Sequence, residues 1–139
     1  YHAARALAPG KDSFTTDACV PISRLADCVS ACAARARELH LLAPIVGHVG
    51  DGNFHMLVLF DPADEDERER ADRLTAFVAD QAIAMGGTCT GEHGVGVHKL
   101  DALLAEHGVG AISVMQCIKT ALDPNGIMNP GKTVPMTAN

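Results

Sequence analysis

The chain has no run of Lys and Arg, and no apolar stretch near the roughly 20 residues that cross a bilayer. It shows no basic-then-apolar leader pattern, so a soluble segment is expected. A formal net charge of -6 argues against a nucleic-acid surface. Five cysteines, Cys19, Cys28, Cys32, Cys89 and Cys117, are odd in number and lack the paired spacing of a zinc site. Cys28 and Cys32 fall on one helical face and read as small buried hydrophobes, which favours a reducing, cytoplasmic setting over a disulfide framework. Cys89 has no dedicated base beside it, so a nucleophile is the lesser reading. The segment GEHGVG lacks the G-x-G-x-x-G spacing and the βαβ setting of a dinucleotide fingerprint. Neither internal repeats nor low-complexity linkers occur, and the acidic cluster from Asp61 to Asp72 reads as the solvated face of a helix.

What is present is a hydrophobic fraction of 47% in 139 residues, enough for one compact unit with a core. Two glycine-rich stretches stand out against it: GHVGDGNFH at residues 47–55 and TGEHGVGVHK at residues 90–99. They set His48, His55, Glu92 and His93 among glycines, where the backbone can bend sharply and approach a ligand.

The Ala-rich opening from Tyr1 to Lys11, without a start Met, reads as the end of a helix in something larger. FTTDACVP (14–21) is extended in character, and Pro21 suits the start of a helix. Leu25, Cys28, Val29, Cys32, Ala36 and Leu39 then recur at helical spacing, predicting a helix over about 22–41. LAPIVGH (42–48) predicts a strand ending at His48, with an irregular start at Pro44. The Asp51-Gly52 pair favours a tight hairpin turn, followed by a strand through Phe60. Period two puts Asn53, His55, Leu57 and Leu59 on one face of it, with His55 close to His48 across the hairpin. Leu74, Phe77, Val78 and Met85 mark the buried side of the next helix, ended by Gly86 and Gly87. A short strand at Thr88–Thr90 completes the order β-α-β-β-α-β. The expected class is α+β, a ferredoxin-like βαββαβ sheet with helices on one face, plus C-terminal helices over about 98–106 and 109–121. The tail DPNGIMNPGK (123–132) closes the pattern.

His48 and His55 are seven apart, unlike the helical H-E-x-x-H arrangement, yet a hairpin can bring both imidazoles to one mouth. Glu92 can supply a third ligand. Two imidazoles and one carboxylate suit Zn²⁺, Mn²⁺ or Fe²⁺ better than Ca²⁺ or Mg²⁺, and leave a position open for substrate. His93, adjacent to Glu92, can act as a proton acceptor, since imidazole titrates near neutrality. His98 reads as the first turn of the following helix. His2, His40 and His107, at a terminus and at helix ends, have structural readings, one of them a favourable charge near a helix C-terminus. Two other uses of the residues stand beside metal-assisted proton transfer: a metal-dependent hydrolase with His93 or Glu92 as base, and a non-catalytic capping or dimerisation module.

TDACVPISRL, GHVGDGNFH, GGTCTGEHGVGVHK and DPNGIMNPGK occur in that order, and together they resemble the C-terminal domain of FAD-linked oxidases of the vanillyl-alcohol-oxidase type. The resemblance spans nearly the whole chain and points to the branch of D-lactate, D-2-hydroxyacid and glycolate-oxidising flavoproteins. It implies that residues 1–139 form the substrate or cap domain of a larger flavoprotein, with FAD held mainly by an N-terminal domain outside them. The implied activity is oxidation of a 2-hydroxy acid to a 2-oxo acid with hydride transfer to FAD, the isolated fragment being inactive. Implied roles are metal ligation by His48, His55 and Glu92, proton abstraction by His93, substrate positioning by Asn53, and approach of Asn129 to the flavin. Implied partners are a small 2-hydroxy acid, an electron acceptor (cytochrome, quinone or electron-transfer flavoprotein) and a second copy in a homodimer. The whole protein could then sit at the periphery of the inner membrane.

Overall fold

The computed structural model describes residues 2–134; Tyr1, the first residue of the Ala-rich opening, lies outside them. Contacts group the chain into two compact units, Tyr1–Gly91 and Glu92–Asn139.

The first unit holds helix α1 (His2–Ala6), strands β1 (Asp12–Thr15) and β2 (Ala18–Cys19), helix α2 (Ile22–Glu38), strand β3 (Ile45–His48), a 3-10 turn (Val49–Asp51), strand β4 (Asn53–Phe60) and helix α3 (Glu65–Ala84). Strand β4 is central. Along one edge it pairs antiparallel with β1 (Asp12 opposite Phe60, Thr15 opposite Leu57) and then with β2 (Ala18 opposite Phe54). Along the other it pairs antiparallel with β3, Ile45 opposite Met56 and His48 opposite Asn53. Thr88 bridges Cys19 on the outer side of β2. The spatial order is thus Thr88, β1/β2, β4, β3, the split βαββαβ arrangement expected of the sequence.

Alternation on β4 sends Phe54, Met56, Val58 and Phe60 to the helical side. There they meet Leu25, Cys28, Cys32 and Ala36 of α2 and Ala71, Leu74, Val78 and Ala82 of α3 in one cluster. Both helices therefore cover one face of the sheet. Cys28 and Cys32 are buried free thiols, as their spacing implied. Burial, with the neighbouring Cys28 adding to it, pushes the Cys32 thiol up to about 12, which leaves it inert as a nucleophile.

Four features of the first unit differ from the sequence expectation, each for a local reason. Helix α2 stops at Glu38 because His40 takes a left-handed φ of 53°. The amide of His40 donates to Arg37 O and that of Leu41 to Ala36 O, a Schellman closure without glycine. Strand β3 begins only at Ile45, since Pro44 has no N–H to give the ladder, although the carbonyls of Leu42 and Pro44 still accept from Leu59 and Leu57. The hairpin is wider than the tight two-residue turn that Asp51-Gly52 favours: four residues, 49–52, separate His48 from its partner Asn53. The fourth strand shrinks to the single bridge at Thr88, because the Thr88 hydroxyl accepts from the Thr90 amide and turns the chain away.

Helix α3 has strong stop and start signals. Asp64 caps it by accepting from the Glu67 amide, while Glu67 accepts from the Asp61 amide and pairs with Lys11. Gly86, with a φ of 77°, ends it as the left-handed residue of a second Schellman motif.

The second unit contains helix α4 (Leu100–Leu122), which is broken at Gly108 (φ 74°, ψ 166°). It therefore consists of two helical segments, as expected. The first starts two residues later than predicted: His98 lies in the turn before it and Lys99 occupies the cap position.

His40 offers a test of the helix-end assignment. A left-handed conformation costs an L-residue about 1 to 2 kcal/mol, which glycine avoids at the expense of roughly 0.4 to 1 kcal/mol of unfolded-chain entropy. His40→Gly is expected to stabilise the protein by about 0.5 to 1 kcal/mol in urea unfolding; a destabilised variant would show that the imidazole contributes more than its backbone strain costs.

Candidate metal and substrate site

The face of β4 opposite the helices carries Asn53 and His55, and both are buried although polar. Such groups need partners inside the fold. They find them where the first strand is interrupted, at Thr16 and Asp17, between β1 and β2. The Thr16 amide donates to Met56 O at 3.0 Å and its hydroxyl accepts from the Met56 amide at 2.8 Å, so one residue satisfies both sides of that peptide position. The Thr16 carbonyl is thereby turned to Nδ1 of His55, 3.0 Å away.

A carbonyl can only accept, so Nδ1 of His55 carries a proton and the neutral ring has its lone pair on Nε2. That is the tautomer of a metal ligand oriented by a backbone oxygen. Asp17 lies beside it with its side chain fully buried. Its Oδ1 accepts from Nδ2 of Asn53 at 3.0 Å and stands 3.7 Å from Nδ1 of His55, an electrostatic rather than a hydrogen-bonding distance. The amide of Asn53 is thus oriented, and its Oδ1 is buried with no hydrogen-bond partner among the described residues.

His48, exposed at the end of β3, sits directly across from Asn53. Its ring centroid is 6.3 Å from that of His55, at an interplanar angle of 88°. The hairpin brings the two imidazoles together as the sequence predicted. Gly91 closes the cluster: a Cβ there would lie 2.0 Å from Nδ2 of Asn53 and 2.9 Å from Oδ1 of Asp17, so only glycine fits. At Gly52 a left-handed φ of 76° coincides with a close approach to Val20 O, which holds the hairpin base against the segment that follows β2.

In the second unit Glu92 and His93 are half-exposed and adjacent on a turn, with Oε1 and Nε2 3.8 Å apart. Asn129 is exposed, with a left-handed φ of 46°, and its carbonyl accepts from the Lys132 amide. The tail around it is organised by Asp123, whose carboxylate accepts from Lys119 and from the amides of Ile127 and Met128.

Sequence reasoning missed Asp17 and Thr16. The available signal was a carboxylate within the extended stretch FTTDACVP, a residue type depleted from strands and almost never fully buried unless paired.

Residues 1–133 match the family described as FAD linked oxidases, C-terminal domain, and the chain belongs to that family. The mitochondrial D-lactate dehydrogenase [cytochrome] of Arabidopsis thaliana is 48% identical over 130 residues, 94% of this chain and 23% of that protein. A probable mitochondrial D-lactate dehydrogenase of Danio rerio is 48% identical over 99% of this chain and 28% of its own length. The glycolate oxidase subunit GlcD of Escherichia coli is 33% identical over 89% of the chain and 25% of its own length. The chain thus spans about a quarter of the curated relatives it matches. Among solved structures, the 4-ethylphenol oxidase of Gulosibacter chungangensis shares the fold, with a TM-score of 0.63 at 21% identity, over 94% of this chain and 26% of that one. Among the described residues no helix is long and apolar enough to cross a membrane.

The Asp123 turn makes a prediction for acid conditions. The Lys119 ammonium and the Ile127 and Met128 amides hold its carboxyl below the usual carboxylate range. A group with a lowered folded pKa stabilises above its unfolded value, near 4, and loses that contribution as pH falls through the folded value. Asp123→Asn is expected to flatten the acid limb of a urea-unfolding series below about pH 4; an unchanged limb would remove Asp123 from the acid response.

Proposed function

We propose that this domain is the substrate- and metal-binding part of an FAD-dependent D-2-hydroxyacid dehydrogenase, acting on D-lactate, glycolate or a close analogue. The observation that carries the proposal is the His55–Asn53 pair: two buried polar side chains, the imidazole oriented by the Thr16 carbonyl and the amide by Asp17, with Asn53 Oδ1 without a hydrogen-bond partner among the described residues. The names of the relatives supply the substrate class.

His48, His55 and Glu92 would hold a divalent metal. Imidazole and carboxylate together suit Zn²⁺, Mn²⁺ or Fe²⁺, and the Thr16 carbonyl already sets the tautomer of His55 that ligation needs. Glu92 follows directly in the chain on Gly91, which is lodged against Asn53 and Asp17. For the flavin, GEHGVG is no phosphate cradle, so FAD would be bound mainly by other parts of the full protein, with Asn129 toward the flavin. When bound, the metal supplies positive charge for a hydroxy acid's oxygens and the flavin supplies a two-electron sink.

The chain's own residues do the rest. Asn53 positions the substrate, and His93 accepts the proton of the C2 hydroxyl. Glu92, 3.8 Å from His93 Nε2, would stabilise the imidazolium that results. Electrons would leave to a cytochrome, a quinone or an electron-transfer flavoprotein, from a homodimer that is cytoplasmic or peripheral to the inner membrane.

In the full flavoprotein, His93→Ala is expected to keep its FAD and lose about 10²- to 10⁴-fold in kcat, the usual worth of a positioned base. Unchanged kcat would remove His93 from the reaction. Dialysis against a strong chelator should abolish turnover of the wild type, with Zn²⁺ or Mn²⁺ restoring it; full activity in metal-free protein would sink the ligand assignment.

A further inference from the structure

We propose that Asp17 is a positioning residue. By accepting from Nδ2 of Asn53, it presents Oδ1 of that amide to the C2 hydroxyl of a 2-hydroxy acid. The inference rests on the functional reading above and adds to it a buried carboxylate that acts on the substrate through Asn53.

Three observations carry it. Asp17 is 2% exposed and Asn53 6%, so neither is a casual surface contact, and burying a carboxylate is costly unless donors meet it. The 3.0 Å bond from Nδ2 to Oδ1 of Asp17 forbids the flipped amide, which would set two acceptor oxygens against each other. The consequence is visible on the other side of the amide, where Asn53 Oδ1 is buried without a partner among the described residues. Ser13 Oγ and Thr90 Oγ1 share that state, but hydroxyls rotate, whereas the Asn53 oxygen is fixed by Asp17 on the other side of its amide and can be satisfied by a ligand's donor. Gly91 sharpens the constraint, since its lack of a Cβ is what lets the main chain lie against Nδ2 and hold the amide from a third direction.

An amide oxygen accepts and does not donate, so it can favour a hydroxyl over a carbonyl at the same carbon. A 2-oxo acid has no proton to give it. Asp17 should therefore affect binding of the hydroxy acid and leave the oxo acid alone, an asymmetry that loosening of the fold would not produce.

The experiment uses the full flavoprotein with D-lactate and glycolate as substrates, and pyruvate and glyoxylate as competitive inhibitors. Flavin content and thermal melting are checked for each variant. Asp17→Asn is expected to lower kcat/KM by about tenfold to a hundredfold, while the inhibition constants of the oxo acids move by less than about twofold. In a double-mutant cycle, adding Asp17→Asn to Asn53→Ala should cost nothing further, because the residue it positions is gone. Asp17→Ala, which removes the acceptor without adding bulk, carries the same test if Asp17→Asn does not fold. Parallel loss of hydroxy- and oxo-acid binding, or an additive cycle, would overturn the role of Asp17 while the dehydrogenase reading stood. A wild-type protein whose flavin is reduced by neither acid would overturn both.

Discussion

Strand β4 is buried along all eight of its residues, and the rest of the first unit follows from that condition. A strand with both faces covered has nowhere to send a polar side chain except to a partner inside the fold. On the helical face the solution is apolar packing by α2 and α3. On the other face Asn53 and His55 break the apolar run, and the neighbouring strand gives up its regular ladder at Thr16 and Asp17 to meet them. The interruption between β1 and β2 is therefore the structural counterpart of two polar residues on β4.

The glycines belong to the same condition. Gly91 is required by contact: its missing Cβ is the space in which the Asp17–Asn53 bond lies. Gly52 is required by both conformation and contact, so the hairpin that aligns His48 with Asn53 is pinned at its base. A glycine-rich sequence here means rigidity of placement rather than looseness, because each of these positions admits one residue type for a steric reason.

Much of this was legible beforehand. Helical periodicity located α2 and α3, period two found the polar face of β4, and the order of elements gave the split βαββαβ sheet. The pairing of His48 with His55 followed from the hairpin alone. What escaped were features set by long-range contact. Thr16 and Asp17 sit 36 or more residues from the groups they serve, so no local pattern could assign their partners. The left-handed turn at His40 escaped for another reason: a residue without glycine's freedom took a glycine conformation, and the tertiary fold overrode local preference. The four-residue hairpin loop shows the converse limit, since Asp-Gly favours a short turn in isolation, whereas contact of Gly52 with Val20 O fixes a longer one.

A domain built only for stability would place apolar side chains at 17, 53 and 55, since replacing buried polar networks with well-packed hydrophobes is often neutral or stabilising. This chain does the reverse in a unit whose helices are otherwise carefully closed. Asp64 caps α3, Gly86 ends it, and Glu67 is tied to Lys11 and the Asp61 amide. Apart from the left-handed His40, the helix ends of this unit follow local rules, whereas the β4 polar face buries a carboxylate, an amide and an imidazole together. Where departures from local rules concentrate in one polar patch, that patch is marked as a place where function outweighs stability. The patch coincides with the motif GHVGDGNFH, and its broken rule is specific: a buried amide held by a carboxylate, its oxygen without a hydrogen-bond partner among the described residues. Such an arrangement is costly in the isolated domain and becomes favourable when a donor arrives, which makes ligand binding and local stability two measures of the same interaction.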